Sequence, residues 1–342
     1  MRPARLRVSA VAGALTLLLA GCADGDEDAA TTTTTTAGET TTTASGDTGG
    51  QRLDLTVTED ALDGLPGSIP GGVVTVNLGV EPPADPDLEL DFSKVAEGTS
   101  EQEFTEGLTS LLGGGPFPDF MENNAGVGAG EYSIVLEPGS YFVWFEKGGQ
   151  EEEGGEEGAG GEGAEGEGAE GEGAQGEGAQ GEGAEGEEET PPEVVITSLT
   201  VTESDDGGEL PETDGTITAV DYDFEVDVQA GDSFTFRNDS TNQFHHAVVF
   251  NFGSIDPATV EENLPAFLEG GEEQPPPPAF EGLDFEKLEG GHSGVFGPGG
   301  AGTAIGTFQS GSTYAAICFI QDRTGGPPHA FAYDMYEVFQ VD

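Results

Sequence analysis

The chain has 342 residues, and its 67 acidic side chains against 9 basic ones give a formal charge of −58. That balance excludes DNA and RNA as partners, because a phosphate backbone is held by lysine and arginine. It also sets the folded part against anionic headgroups and keeps it well hydrated.

Arg2, Arg5 and Arg7 form a basic start, followed by an apolar run from Val8 to Ala20. The run falls short of the roughly 20 apolar residues that span a bilayer, and with its basic flank it reads as a secretory signal. It ends in Leu19-Ala20-Gly21-Cys22, which resembles the lipobox of bacterial lipoproteins. The resemblance implies a signal peptide over 1–21, acylation of Cys22, and an extracytoplasmic protein held to the membrane by its N-terminal lipid. No later stretch is apolar enough to add a second anchor. Residues 22–50, with threonine runs at 31–36 and 40–43, have nothing to bury and are expected to be a disordered tether.

Short alternating runs bounded by Gly and Pro fill 51–147 and predict strands: "LDLTVT" (53–58), "VVTVNL" (73–78), "YSIVL" (132–136) and "YFVWF" (141–145). One helix is expected after Ser100, with Glu103 completing a capping box. The tract 148–190 repeats Gly-Glu-Gly-Ala-Glu/Gln, where glycine opposes helix and like charges oppose collapse, so a solvated spacer is expected. Strands are predicted again at "VVITSLTV" (194–201), "TITAV" (216–220), "DFEVDV" (223–228), "SFTFRN" (233–238), "HAVVFNF" (246–252) and "YEVFQV" (336–341). A second helix should open at Asp256, with Pro257 in its first turn.

The two stretches repeat one order of elements: strand, turn, strand, extended run, helix, then a closing strand introduced by Gly-Ser and Tyr ("PGSYFVWF", "SGSTYAAICF"). The repeat makes the acidic tract an interruption of the last hairpin of a first domain, 51–204, ahead of a second domain, 205–342. The alternative is that 194–201 opens the second domain. Lengthening a turn by about three doublings costs only about 2 kcal/mol.

Beyond Cys22 the only cysteine is Cys318, so no intramolecular disulfide can form and the thiol needs a reason. His246 in "FHHAVVF", Cys318 in "YAAICFI", His329 in "GGPPHAF" and Met335 in "YDMYEVF" are the candidate ligands. This order, with "VQAGDSFTFRN" (228–238) ahead of the first histidine, resembles the cupredoxin family of plastocyanin-like proteins. The resemblance implies an all-β fold of two Greek-key β-sandwich domains, each with one short helix. It also implies a type 1 copper with His246, Cys318 and His329 equatorial and Met335 axial. His245 neighbours His246 on the strand and points to the opposite face; analogy selects His246. His292 reads as a surface residue of a glycine-rich loop.

The chain departs from the family in two places. Ten residues, Phe319 to Pro328, separate Cys318 from His329 where only a few are usual, and Asp334 precedes Met335 where glycine is common. The competing reading makes Cys318 a small buried hydrophobe. The first stretch has neither histidine nor cysteine, and Phe145 stands where Cys318 stands. No nucleophile with a base partner and no phosphate-cradling loop stands out, so catalysis is not expected. Two functions remain open: copper-dependent electron transfer or copper handling with a redox partner protein, and metal-free adhesion or scaffolding in the cell envelope.

Overall fold

The computed structural model describes residues 50–84, 88–147, 193–205, 207–270, 275–283 and 288–342. The signal peptide, Cys22, the tether up to residue 49 and the acidic tract lie outside the described residues.

The N-terminal half contains β1 (Gln51–Val57), β2 (Leu62–Asp63), β3 (Ser68–Pro70), β4 (Gly72–Val80), β5 (Leu90–Val95), α1 (Glu101–Leu112), β6 (Met121–Val127), β7 (Gly130–Leu136), β8 (Gly139–Glu146) and β9 (Val194–Thr202). One of its layers runs β2-β1-β4-β7 and the other β3-β9-β8-β5-β6. Their inner faces meet in a core that includes Leu53, Val74, Val76 and Ile134 from the first layer and Phe92, Val143, Phe145 and Leu199 from the second. The alternation of apolar and polar residues sets this arrangement, because side chains of a strand point to its two faces in turn. Helix α1 starts where expected: Ser100 Oγ accepts the Glu103 N–H at 3.2 Å. It buries Phe104 and Leu108, four residues apart on one face.

Strand β9 pairs antiparallel with β8 over the whole length of β8, from Gly139 opposite Val201 to Glu146 opposite Val194. Residues 148–192 therefore leave and re-enter the same hairpin. The Lys147 N–H donates to the Glu193 carbonyl at 2.8 Å, so the two ends stand side by side.

The C-terminal half contains β10 (Gly215–Val220), β11 (Asp223–Val228), β12 (Gly231–Asn238), β13 (Val248–Asn251), α2 (Pro257–Gly270), β14 (Glu289–His292), β15 (Ala301–Phe308), β16 (Thr313–Ile317), α3 (His329–Ala332) and β17 (Tyr336–Gln340). It repeats features of the first half: β10 runs parallel to β12 as β1 does to β4, and the hairpin β16–β17 closes it as β8–β9 closes the other. Asp256 caps α2 by accepting the Ala258 N–H at 3.1 Å.

The chain is all-β with a few short helices, as the sequence predicts. Six strands, β2, β3, β5, β6, β14 and β15, lie outside the predicted runs. In β15 the glycines conceal the strand, since they make room rather than turns. A Cβ on Gly302 would lie 2.7 Å from the Phe296 ring, and one on Gly306 2.8 Å from Phe308. His292 is likewise not in a loop; it ends β14, opposite Val248 and Ile305, and is half-buried.

The halves are not separate bodies. Gly302 of β15 pairs with Ile134 of β7, the Ser133 N–H donates to Thr303 Oγ1 at 2.7 Å, and Ala125 of β6 bridges Phe296. One apolar cluster runs from Leu53 to Val341 through both.

Candidate metal centre

Cys318 follows β16, His329 opens α3, and His245 lies between β12 and β13 in extended backbone bonded both ways to Phe296 (2.8 and 3.0 Å). All three side chains are fully buried. Cys318 Sγ lies 3.6 Å from Nδ1 of His245 and 3.6 Å from Nδ1 of His329, and the two nitrogens are 3.2 Å apart. A triangle of those sides has a centre about 2.0 Å from each corner, and first-row metal ions keep about 2.0–2.1 Å to imidazole nitrogen and about 2.3 Å to thiolate. Among the described residues this is the one group of three or more His, Cys, Asp or Glu side chains whose donor atoms converge in this way.

The histidine in the triangle is His245, not the expected His246. Extended backbone sends neighbours to opposite faces, and the parity that faces the core is His245, Ala247 and Val249. The sequence hides this parity because both faces are covered by apolar residues. Val249 joins the central core, while Phe250 packs in the cluster around α2. His246 turns the other way and accepts the Phe319 N–H on Nε2 at 2.9 Å, which pins the residue after Cys318.

Cys318 and His329 come together although ten residues separate them. The excursion doubles back with Gln321 bridged to Pro328, and the His329 and Ala330 N–H groups donate to the carbonyls of Ile320 and Cys318 at 2.8 and 2.9 Å. The turn at its tip uses Gly325 and Gly326 at φ +83° and +126°, where a side chain would be strained. Met335 is fully buried in the same apolar cluster as Cys318. Its N–H donates to the His329 carbonyl, and its carbonyl accepts the Cys318 N–H, both at 3.2 Å. Asp334 adopts φ +54°, in the left-handed region that aspartate tolerates better than most side chains.

Burial dominates the electrostatics. It holds His245 down at about 3, with His329 and His246 adding to the effect and the Asp221 carbonyl and Asp322 opposing it. His329 falls to about 4 by burial, against Asp322, and burial pushes the Cys318 thiol up to about 12. Backbone groups of His246 and Ile320 oppose that rise, so the sulfur already faces partners that favour a thiolate. Both imidazoles are therefore neutral at ordinary pH, and Nε2 of each is buried without a hydrogen-bond partner. With the proton on Nε2, both Nδ1 lone pairs point at the sulfur-lined centre. The donor set fits a soft or borderline metal ion.

An aromatic lid closes this side. The Tyr222 ring meets His329 edge-on at 5.1 Å and stacks on Tyr333 at 3.9 Å, and both hydroxyls donate to Asp322 of the excursion. Neither tyrosine nor Asp322 stood out in the sequence; an aromatic residue in a hairpin turn carries no local signal of what it covers.

No family model and no curated protein matches the chain. Among solved structures it is similar to a dithionite-reduced auracyanin from the photosynthetic bacterium Roseiflexus castenholzii (22% identity, 37% of this chain and 94% of that one, TM-score 0.24). It is also similar to an azurin from Methylomonas sp. strain J (16%, 37% and 95%, TM-score 0.20) and a copper nitrite reductase from Nitrosomonas europaea (11%, 86% and 94%, TM-score 0.18). At these scores the overlaps carry no argument about the site, which stands on its own geometry.

Proposed function

We propose that the protein is an extracytoplasmic, lipid-anchored lipoprotein of two cupredoxin-like domains, the second binding one copper ion for electron transfer or copper handling. The observation that carries this reading is the buried triangle of two imidazole nitrogens and one thiol sulfur. His245, Cys318 and His329 would hold the ion, and Met335, buried in the same apolar cluster as Cys318, is the candidate fourth ligand. Copper in such a set supplies one-electron chemistry between its two oxidation states. The chain's own residues do the rest. On binding, Cys318 would release its proton to solvent and offer a thiolate, the neutral histidines would offer Nδ1, and the Tyr222–Tyr333 pair would shield His329 from water. The domain is a carrier rather than a catalyst, and its partner is a redox protein.

The test titrates Cu(II) into the signal-free chain, residues 50–342, and records the visible spectrum. The wild type and His246→Ala should show an intense thiolate-to-copper band; Cys318→Ser and His245→Ala should not. Copper should also raise the melting temperature, since a ligand that binds only the folded state stabilises it by about 2.7 kcal/mol at one hundred times Kd. Exposed carboxylates give only pale colour independent of Cys318. A colourless wild type whose thiol resists reagents until unfolding returns Cys318 to core packing, and the metal-free reading to first place.

A further inference from the structure

The N-terminal half has neither histidine nor cysteine over residues 51–147, yet it touches the supports of the donor triangle. We infer that it is an internal scaffold holding the donor triangle in register, and that Arg323, in the excursion between Cys318 and His329, is its principal positioning residue. The inference deepens the copper reading and rests on it for one readout only.

Arg323 is tied down on every side. Its guanidinium donates to the Met121 carbonyl at 2.6 Å and lies 5.0 Å from the centre of the Phe244 ring. Its N–H donates to Gln243 Oε1 at 3.1 Å, and its carbonyl accepts the Phe117 N–H at 3.1 Å. Phe117, from the segment after α1, stacks on Phe244 at 4.4 Å with an interplanar angle of 5°. Gln321 adds a bond from its side-chain amide to the Gly115 carbonyl. Phe244 precedes His245, so one residue of the excursion grips both the loop that delivers His329 and the segment that delivers His245. The grip needs the N-terminal half, because Met121 and Phe117 supply two of its four contacts.

A second seam reaches His245 independently. Phe296, its backbone partner, follows Val295, whose N–H donates to Glu89 at 3.1 Å and whose carbonyl accepts the Asn124 amide at 3.0 Å. A Cβ on Gly294 would lie 2.1 Å from the Gly126 carbonyl, so the two backbones are in contact along this seam. A ten-residue excursion costs entropy to hold in one shape. The N-terminal half supplies the fixed surface that a tight hairpin would otherwise provide.

The experiment compares Arg323→Met, Arg323→Lys and Val76→Ala in the chain spanning residues 50–342. Val76 is buried in β4, so its truncation opens a cavity and destabilises the fold without touching the excursion. The metal-free readout is the rate at which a thiol reagent modifies Cys318. Arg323→Met should raise it about tenfold or more over Val76→Ala at a comparable fall in melting temperature, as loss of a charge-assisted hydrogen bond implies. Arg323→Lys, which keeps the charge but not the fork, should fall between wild type and Met. With copper, Arg323→Met should also shift the thiolate band, whereas Val76→Ala should leave it in place. Equal thiol rates for Met and Ala variants of equal stability would overturn the inference. Should Arg323→Met not fold, Gln321→Ala serves the same comparison. A colourless wild type would remove the copper reading while the thiol rates still decide the scaffold.

Discussion

Two carboxyls at the seam between the halves behave unlike the dozens on the surface. Glu89 packs its carboxylate against β6, where a Cβ on Gly126 would collide with it. Burial raises it from its ordinary value of 4.5 to about 7, against the Val295 N–H. Asp91 is buried beside it and is raised well above 3.8 by burial and by Glu89, against its bond from Asn124. Ser93, Asn124 and Trp144 continue this network, with Trp144 Nε1 donating to Ser93 Oγ at 2.9 Å and Ser93 donating to Asn124 at 2.7 Å. A carboxyl whose folded pKa is raised contributes stability that is complete below about 4.5. That contribution is lost as pH climbs to about 7, because the unfolded chain ionises first. Thermal stability should therefore fall between those values, by at most about 1.4 kcal/mol per pH unit for one group. Glu89→Gln, which keeps an acceptor for Val295, should flatten the fall. Melting curves from pH 4.5 to 7.5 check this; parallel slopes for the two proteins would discard it.

At the scale of elements, the hairpin β8–β9 decides what the acidic tract can be. Its eight paired positions and the Lys147–Glu193 backbone bond hold the ends together without help from residues 148–192. Lys147 also reaches Asp60 at 2.7 Å and Glu193 at 2.8 Å, which ties the hairpin to the turn after β1. Replacing 148–192 by a short glycine turn should leave the fold and the metal-centre spectrum unchanged. Shortening that loop would alter its closure entropy by only about 2 kcal/mol. Melting temperature and the copper band of the deletion variant are the measurements, and loss of cooperative unfolding would show that the tract supports the sheet. The same pairing explains why the order of elements, rather than chain proximity, assigns β9 to the first half: a strand far along the chain is recognised by the gap it fills between β8 and β3.

For the whole molecule, a continuous core and the β7–β15 pairing make the two halves one body, so the copper test belongs to both halves together. A fragment beginning near residue 205 would expose Phe244 and strip Arg323 of its acceptor. Of the membrane, the described residues say only that no helix among them is long and apolar enough to cross one. The lipid anchor is our proposal from Leu19-Ala20-Gly21-Cys22. Cys22→Ala in the full-length chain should move the protein from the membrane to the soluble extracytoplasmic fraction, because anionic headgroups repel a chain of charge −58. Membrane retention after signal cleavage would refute the lipid-only anchor.

The sequence alone determined what lies in covalent neighbourhood. Alternating runs specified most strands, Ser100 and Asp256 specified where α1 and α2 begin, and the scarcity of soft ligands singled out Cys318 and His329. Tertiary structure decided the rest. It chose His245 over His246, because apolar cover on both faces of that segment erased the parity by which a strand shows its inside. It closed the excursion from Cys318 to His329, because Arg323 and Gln321 find their partners some two hundred residues earlier, in the other half. It laid the lid of Tyr222 and Tyr333 over His329, since the carboxylate that aligns them belongs to that same excursion. Each of these rests on a contact between residues distant in sequence, and such contacts exist only once the chain has folded.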